Sequence, residues 1–127
     1  MKLTRQAFED VVVAALKGLP KGLRKKMENI DVVVEDAASR DLLVEMGLRS
    51  PFDLLGLYQG VPLDRRGFYY GNVLPDKITL FQMPIESSCQ SEDEIREKIR
   101  EVVIHEVGHY FGLDDDRLRE LEDGEGG

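Results

Sequence analysis

Residues 91–113, SEDEIREKIREVVIHEVGHYFGL, form the stretch that decides the fold of this 127-residue chain. Ser91 is a typical N-cap, and Glu94 stands three residues later, where a capping box places its acid. Gly112 is a typical residue for ending a helix. The sequence therefore predicts one long helix, which the apolar residues 102–104 anchor in a core.

Both histidines of the chain, His105 and His109, lie in the second half of this predicted helix. Four residues advance a helix by just over one turn, so the two imidazoles share a face and can bind the same metal ion. Glu106 lies about 100° round the helix from His105, where it can reach a water bound to the metal. Zinc binds imidazole readily, and a catalytic zinc site keeps one position open for water. The pattern therefore predicts a hydrolytic zinc site.

Two alternatives to a catalytic site remain. A structural histidine pair, each satisfied by a backbone carbonyl, is disfavoured because HExxH falls on the strongest predicted helix. A purely structural zinc site usually draws on thiolates, whereas Cys89 is the single cysteine. A lone cysteine also excludes an internal disulfide, which favours a reducing, cytoplasmic location. We interpret Cys89 as an incidental thiol.

The residues after the histidines, GLDDDRLRELE, offer carboxylates for a third ligand. Asp115 stands where a chain turned by Gly112 can fold back on the metal. Asp114, Asp116 or a water could instead complete the site, and acids before RLRELE are also favoured by helix capping and the helix dipole. Two further acids fit a solvated helix face and are weaker candidates: Glu120 and Glu122.

Charge and hydropathy exclude some classes of partner. Asp and Glu number 25 against 17 Lys and Arg, and a net charge of −8 repels nucleic-acid phosphates. The one basic cluster, KGLRKKM at 21–27, fits a solvated helix end or loop. The apolar run at 11–16 is too short for a signal core or a membrane span. We expect neither nucleic acid nor membrane as a partner.

The remaining elements follow from local patterns. An amphipathic helix begins after Thr4 and stops near Gly18 and Pro20. NIDVVVED (29–36) predicts a buried strand, and DAASRDLLVEMGL predicts a helix ending near Gly47. Residues 50–71 predict a turn-rich loop with room for a short strand at 67–70. DKITLFQMP predicts an edge strand stopped by Pro84. We expect one domain over 1–122 and a disordered tail, DGEGG, at 123–127.

The motif HExxHxxGxxD, from His105 to Asp115, resembles the extended zinc motif of metzincin-like metallopeptidases, with aspartate in place of the usual third histidine. FEDVVVAALKGLP, IDVVVED, LLGLYQGVPL and ITLFQMPIE also occur in the order seen in small bacterial zincin-like metallopeptidases, a family of minimal metalloproteases. The resemblance implies an α+β zincin-like fold, in which a small mixed sheet packs against the long active-site helix. It also implies that His105, His109 and Asp115 bind zinc and that Glu106 is the general base. No methionine follows the motif to form a methionine turn.

The expected function is a zinc-dependent metallopeptidase acting on a peptide or protein. An extended substrate would pair with the edge strand around residues 78–81. Tyr69 or Tyr70 could donate to an oxyanion, although aromatics beside glycines more often belong to a core. The alternatives are a metal-stabilised protein-binding module without peptidase activity and a metal-dependent nuclease, which the charge disfavours. Self-association is a further expectation, since the chain is short for a walled cleft, but no stretch identifies the surface for it.

Overall fold

The computed structural model describes residues 1–60 and 75–112, in which helices surround one three-stranded sheet. The elements in chain order are α1 (Arg5–Lys17), α2 (Lys21–Lys26), β1 (Ile30–Glu35), α3 (Arg40–Glu45), a 3-10 turn (Pro51–Asp53), β2 (Gly56–Gln59), β3 (Asp76–Phe81), α4 (Gln82–Ser87) and α5 (Glu92–Tyr110). One pair of strands is parallel and the other antiparallel. This mixed sheet beside a long helix confirms the predicted α+β class.

Helix α5 has the predicted ends. The Ser91 hydroxyl accepts a hydrogen bond from the backbone N–H of Glu94 at 3.2 Å. The Glu94 carboxylate accepts in return from the N–H of Gln90 at 3.0 Å, one residue further back than an ideal capping box. At the other end, Gly112 adopts a φ of +71°, which glycine tolerates best. Both helix boundaries were thus encoded locally.

The predicted edge position of DKITLFQMP is wrong. Strand β3 lies at the centre of the sheet order β1-β3-β2. Its residue Ile78 pairs with Val32 of the parallel β1 and with Tyr58 of the antiparallel β2. The strand ends at Phe81, and Pro84 lies in the first turn of α4, where its missing N–H breaks no helical hydrogen bond. Pro84 therefore indicated the end of the strand and not its place in the sheet.

Strand β2 falls inside the segment that was predicted to be loop. Gly56 belongs to the predicted turn-rich loop 50–71, yet this glycine is the first residue of the strand. A methyl group at Gly56 would lie 2.5 Å from Val102 Cγ1 and 3.2 Å from the Thr79 carbonyl oxygen. Glycine here permits a close approach between β2 and helix α5. The short strand predicted at 67–70 lies outside the described residues.

The main core lies between one face of the sheet and helices α1 and α5. Phe8, Val12 and Ala15 are buried on α1, which confirms its predicted amphipathic face. Leu80 of β3 belongs to this core, whereas its neighbour Phe81 joins a smaller cluster beneath α3 on the other face. Successive side chains of β3 thus point to opposite faces of the sheet, and α5 packs against the face that carries Leu80.

Other predicted elements are confirmed with changes. Strand β1 is present, but its valines are half-buried because β1 lies at one end of the described sheet. Helix α3 begins only after Ser39, whose hydroxyl caps it, and Gly47 follows its end with a φ of +72°. The basic residues 21–26 form the short helix α2. Across 1–60 and 75–112, no helix has the length and apolarity to cross a membrane. The tail at 123–127 lies outside these ranges.

Candidate active site

The two histidines lie side by side on the outer face of α5. The ring centroids of His105 and His109 are 5.8 Å apart, and the ring planes are inclined by 54°. Both residues are exposed, whereas Val103 and Val107 of the same helix are completely buried. A helical residue two positions on points about 200° away, so burial of the valines turns the imidazoles outward. The sequence spacing therefore brings the two side chains together as expected.

Glu106 lies beside this pair and is half-buried. Burial raises the pKa of the Glu106 carboxyl, while Coulombic interactions with His109 and His105 act in the lowering direction. A carboxylate with a raised pKa accepts a proton more readily near neutral pH. Glu106 thus has a proton acceptor's chemistry next to two imidazoles.

The donors in this region fit zinc. Two imidazoles one turn apart match the nitrogen ligands and the spacing that zinc sites use. Within residues 1–60 and 75–112, no group of three or more His, Cys, Asp and Glu side chains is placed to hold a metal. The predicted third ligand Asp115 and its alternatives lie beyond the described part of the chain. The other predicted candidates also lie outside the described residues: Tyr69, Tyr70, Glu120 and Glu122.

A surface cleft of about 330 Å³ opens next to the histidine pair. It runs between α5 and the start of β2, and it is lined by Asp53, Leu54, Leu55, Gly56, Lys98, Glu101, Val102, His105 and Glu106. Leu54 and Val102 give it an apolar floor, and Lys98 and Glu101 form an exposed ion pair of 3.3 Å at its far end. The cleft can accept an apolar side chain of a ligand whose backbone passes the histidines.

Sequence reasoning missed the residues that join β2 to the end of α5. Tyr58 and Tyr110 stack with ring centroids 4.0 Å apart and planes inclined by 20°. Tyr110 directly follows His109, but no local pattern links it to Tyr58. Recognition of β2 as a strand beside the helix was the missing step.

Cys89, interpreted as incidental, is 3% exposed and lies in the main core. Its burial fits a small apolar side chain, as free cysteines often are. It lines a separate surface hollow, not the cleft beside the histidines.

Comparison with known proteins bears on this site. A search against curated proteins found no significant match. A family model described as zincin-like metallopeptidase matches residues 27–125. The match spans the sheet, the cleft and the HEVGH segment, and it confirms the resemblance in the sequence. At the level of the family, these are peptidases that typically use zinc. The chain belongs to the zincin-like metallopeptidase family.

Proposed function

We propose that the protein is a zinc-dependent metallopeptidase in which His105 and His109 bind the metal, Asp115 completes its ligands and Glu106 is the general base. One observation carries the proposal: two exposed imidazoles 5.8 Å apart lie next to a half-buried glutamate at the mouth of a cleft. Membership of the family supports the same activity.

Each of the proposed site residues has a separate role in peptide hydrolysis. Zinc, when bound, supplies a Lewis acid that polarises the scissile carbonyl and makes water more acidic. Glu106 accepts a proton from the attacking water and delivers it to the leaving amine. The raised pKa of Glu106 favours the first of these transfers, since its conjugate acid forms more readily. The two histidines hold and orient the metal centre.

The position of β3 changes where the substrate can bind. Residues 78–80 of the predicted substrate edge pair with strands on both sides, so an edge is not available there. Strand β2 pairs with β3 on one side and has no second partner among the described strands. An extended peptide added to β2 would run along the cleft beside α5. The cleft's leucine and valine lining favours an apolar side chain next to the scissile bond.

Glu106→Gln tests the proposal, because glutamine keeps the shape of the side chain and cannot accept the proton. Zinc content and folding should be retained, while hydrolysis of a peptide library should fall roughly 10²–10⁴-fold. Glu97→Gln is the matched control, since Glu97 is exposed on the same helix and outside the cleft. It should cleave like the wild type.

Two results would overturn this function. Equal cleavage by wild type and Glu106→Gln, with zinc bound to both, would remove Glu106 as the base. Stoichiometric zinc without chelator-sensitive cleavage of any library peptide would instead support the metal-stabilised binding module. The same cleft and strand edge would then serve in binding alone.

A further inference from the structure

The contact between Tyr58 and Tyr110 joins the two elements that border the cleft. Tyr58 belongs to β2, and Tyr110 is the last residue of α5. Their rings lie nearly parallel at a centroid separation of 4.0 Å. Aromatic pairs of this kind contribute stability beyond the area that they bury.

Two contacts with β3 fix the position of Tyr58. Its hydroxyl donates a 2.7 Å hydrogen bond to Asp76 Oδ2, and Asp76 is 6% exposed at the start of the central strand. The backbone of Tyr58 is also paired with Ile78. The sheet therefore fixes the position of the Tyr58 ring, and the Tyr110 ring packs against it.

Gly60 makes room for the second ring. A methyl group at Gly60 would lie 2.7 Å from Tyr110 Oη and 2.9 Å from Tyr110 Cε2. Its backbone does not itself require glycine, because positive φ angles in the described chain occur at Gly47 and Gly112. The absence of a side chain at Gly60 thus serves the position of Tyr110.

The end of α5 is not packed into the core. Residues 109–112 are all exposed, and the last buried positions of the helix are Val107 and Gly108. Terminal helix turns lack part of their backbone hydrogen bonding and fray first. His109 lies in this turn, which leads to the positive-φ Gly112. Stacking on β2 ties down Tyr110 of this turn, and the Lys26 ammonium lies 5.2 Å from the ring centroid of Phe111, the residue that follows.

We propose that Tyr58 and Tyr110 are positioning residues: their stack clamps the last turn of α5 to β2 and so orients His109 toward the metal. This inference rests on the proposed zinc site. Neither tyrosine needs to contact the metal or the substrate. The clamp also fixes the position of β2, the strand proposed to pair with substrate, relative to α5, the helix that carries the two histidines.

Ring removal should weaken zinc binding without unfolding the protein. For Tyr110→Leu, we expect zinc affinity to fall about threefold to tenfold, the scale that an aromatic stacking energy allows. Competition with a chromogenic chelator measures this affinity. Visible absorption of Co²⁺ bound in place of zinc should change in intensity or position, since it reports ligand geometry. Tyr110→Phe keeps the ring and should restore both readouts.

Gly60→Ala tests the same contact from the other side. The added methyl group should displace the Tyr110 ring and weaken zinc binding to a similar extent. In the Tyr110→Leu background it should add little, because the clashing ring is gone and the two changes act through one contact. Additive losses in the double variant would show that Gly60 acts independently of the clamp.

The controls separate this inference from the proposed metal site. Phe52→Ala removes another exposed aromatic side chain, 55% exposed, and should leave zinc affinity unchanged. His105→Ala must weaken zinc binding in the same assay; if it does not, the metal site itself is wrong. If it does, but Tyr110→Leu lowers only the thermal midpoint and keeps wild-type zinc affinity and Co²⁺ absorption, the stack is merely structural and the clamp is overturned.

Discussion

The two parts of α5 differ in what their side chains face: its first half, as the term is used here, is residues 92–104, and its second half is residues 105–110. In the first half, Ile95, Ile99 and Val103 are completely buried against α1 and the sheet. In the second half, His105 and His109 are exposed, and only Val107 and its neighbouring glycine remain buried. One continuous helix thus changes from a core element to a carrier of exposed donor groups.

This difference indicates a division of labour along the helix. Burial of the first half supplies the free energy that holds α5 in place. The second half then presents its imidazoles without needing to bury them, and imidazoles on a helix anchored in the core are held more precisely than groups on a loop. Substitutions in the first half should therefore change folding stability, and those in the second half should change metal binding.

The largest effect is expected from the histidines. His109→Ala removes one of two described nitrogen donors, so tight zinc binding should be lost, with affinity falling well over 100-fold, because even outer-shell changes cost 10–100-fold. The free energy of unfolding without metal should change by less than about 0.5 kcal/mol, since the side chain is exposed. Chelator competition and urea unfolding of the metal-free protein measure the two quantities. If His109→Ala kept one zinc per chain in competition with the chelator, the zinc site would have to lie elsewhere in the protein.

Ile99→Ala tests the first half. Ile99 is 0% exposed, and removing a buried isoleucine side chain typically costs 2–5 kcal/mol of unfolding free energy. Zinc affinity of the folded fraction should match the wild type. Val13→Ala, at a position 50% exposed on α1, is the control and should cost about 0.5 kcal/mol or less. A large loss of zinc affinity in folded Ile99→Ala would break the proposed division between the halves.

The same contrast explains how far the sequence was predictive. The helix α5, its Ser91 cap and its Gly112 end depend on residues close in sequence, so the pattern predicted them correctly. The side-by-side placement of His105 and His109 is equally local, because it follows from the helical repeat.

What the sequence did not predict depends on distant contacts. The central position of β3 follows from pairing of Ile78 with strands on both sides, which a strand pattern does not encode. Gly56 resembled a turn residue because its crowding neighbour, Val102, lies on a remote helix. The stack of Tyr58 on Tyr110 was missed for the same reason. The local helix geometry was predictable, and the surroundings of the site were not.

Asp115→Ala tests the proposed third zinc ligand, which follows the second half of α5 in the sequence, beyond Gly112. If Asp115 is the third ligand, this change should weaken zinc affinity by roughly 10–100-fold, and more than Asp114→Ala or Asp116→Ala. The same chelator competition ranks the three variants. Equal and small effects, accompanied by equal losses of stability, would favour a capping role for all three acids.

The smallest effect is expected at the start of α5, far along the helix from the histidines. The Ser91 hydroxyl accepts from the Glu94 N–H at 3.2 Å, and loss of an N-cap costs about 1 kcal/mol. Ser91→Ala should therefore lower the free energy of unfolding by that amount, as measured in urea, and Ser91→Asp should restore it because aspartate is as good an N-cap. Zinc affinity and the Co²⁺ spectrum should stay at wild-type values in both variants, since the buried first half lies between the cap and the ligands. A change in zinc affinity as large as the change in stability would mean that the cap is coupled to the histidines through the helix, and the two halves of α5 would then have to be treated as one unit.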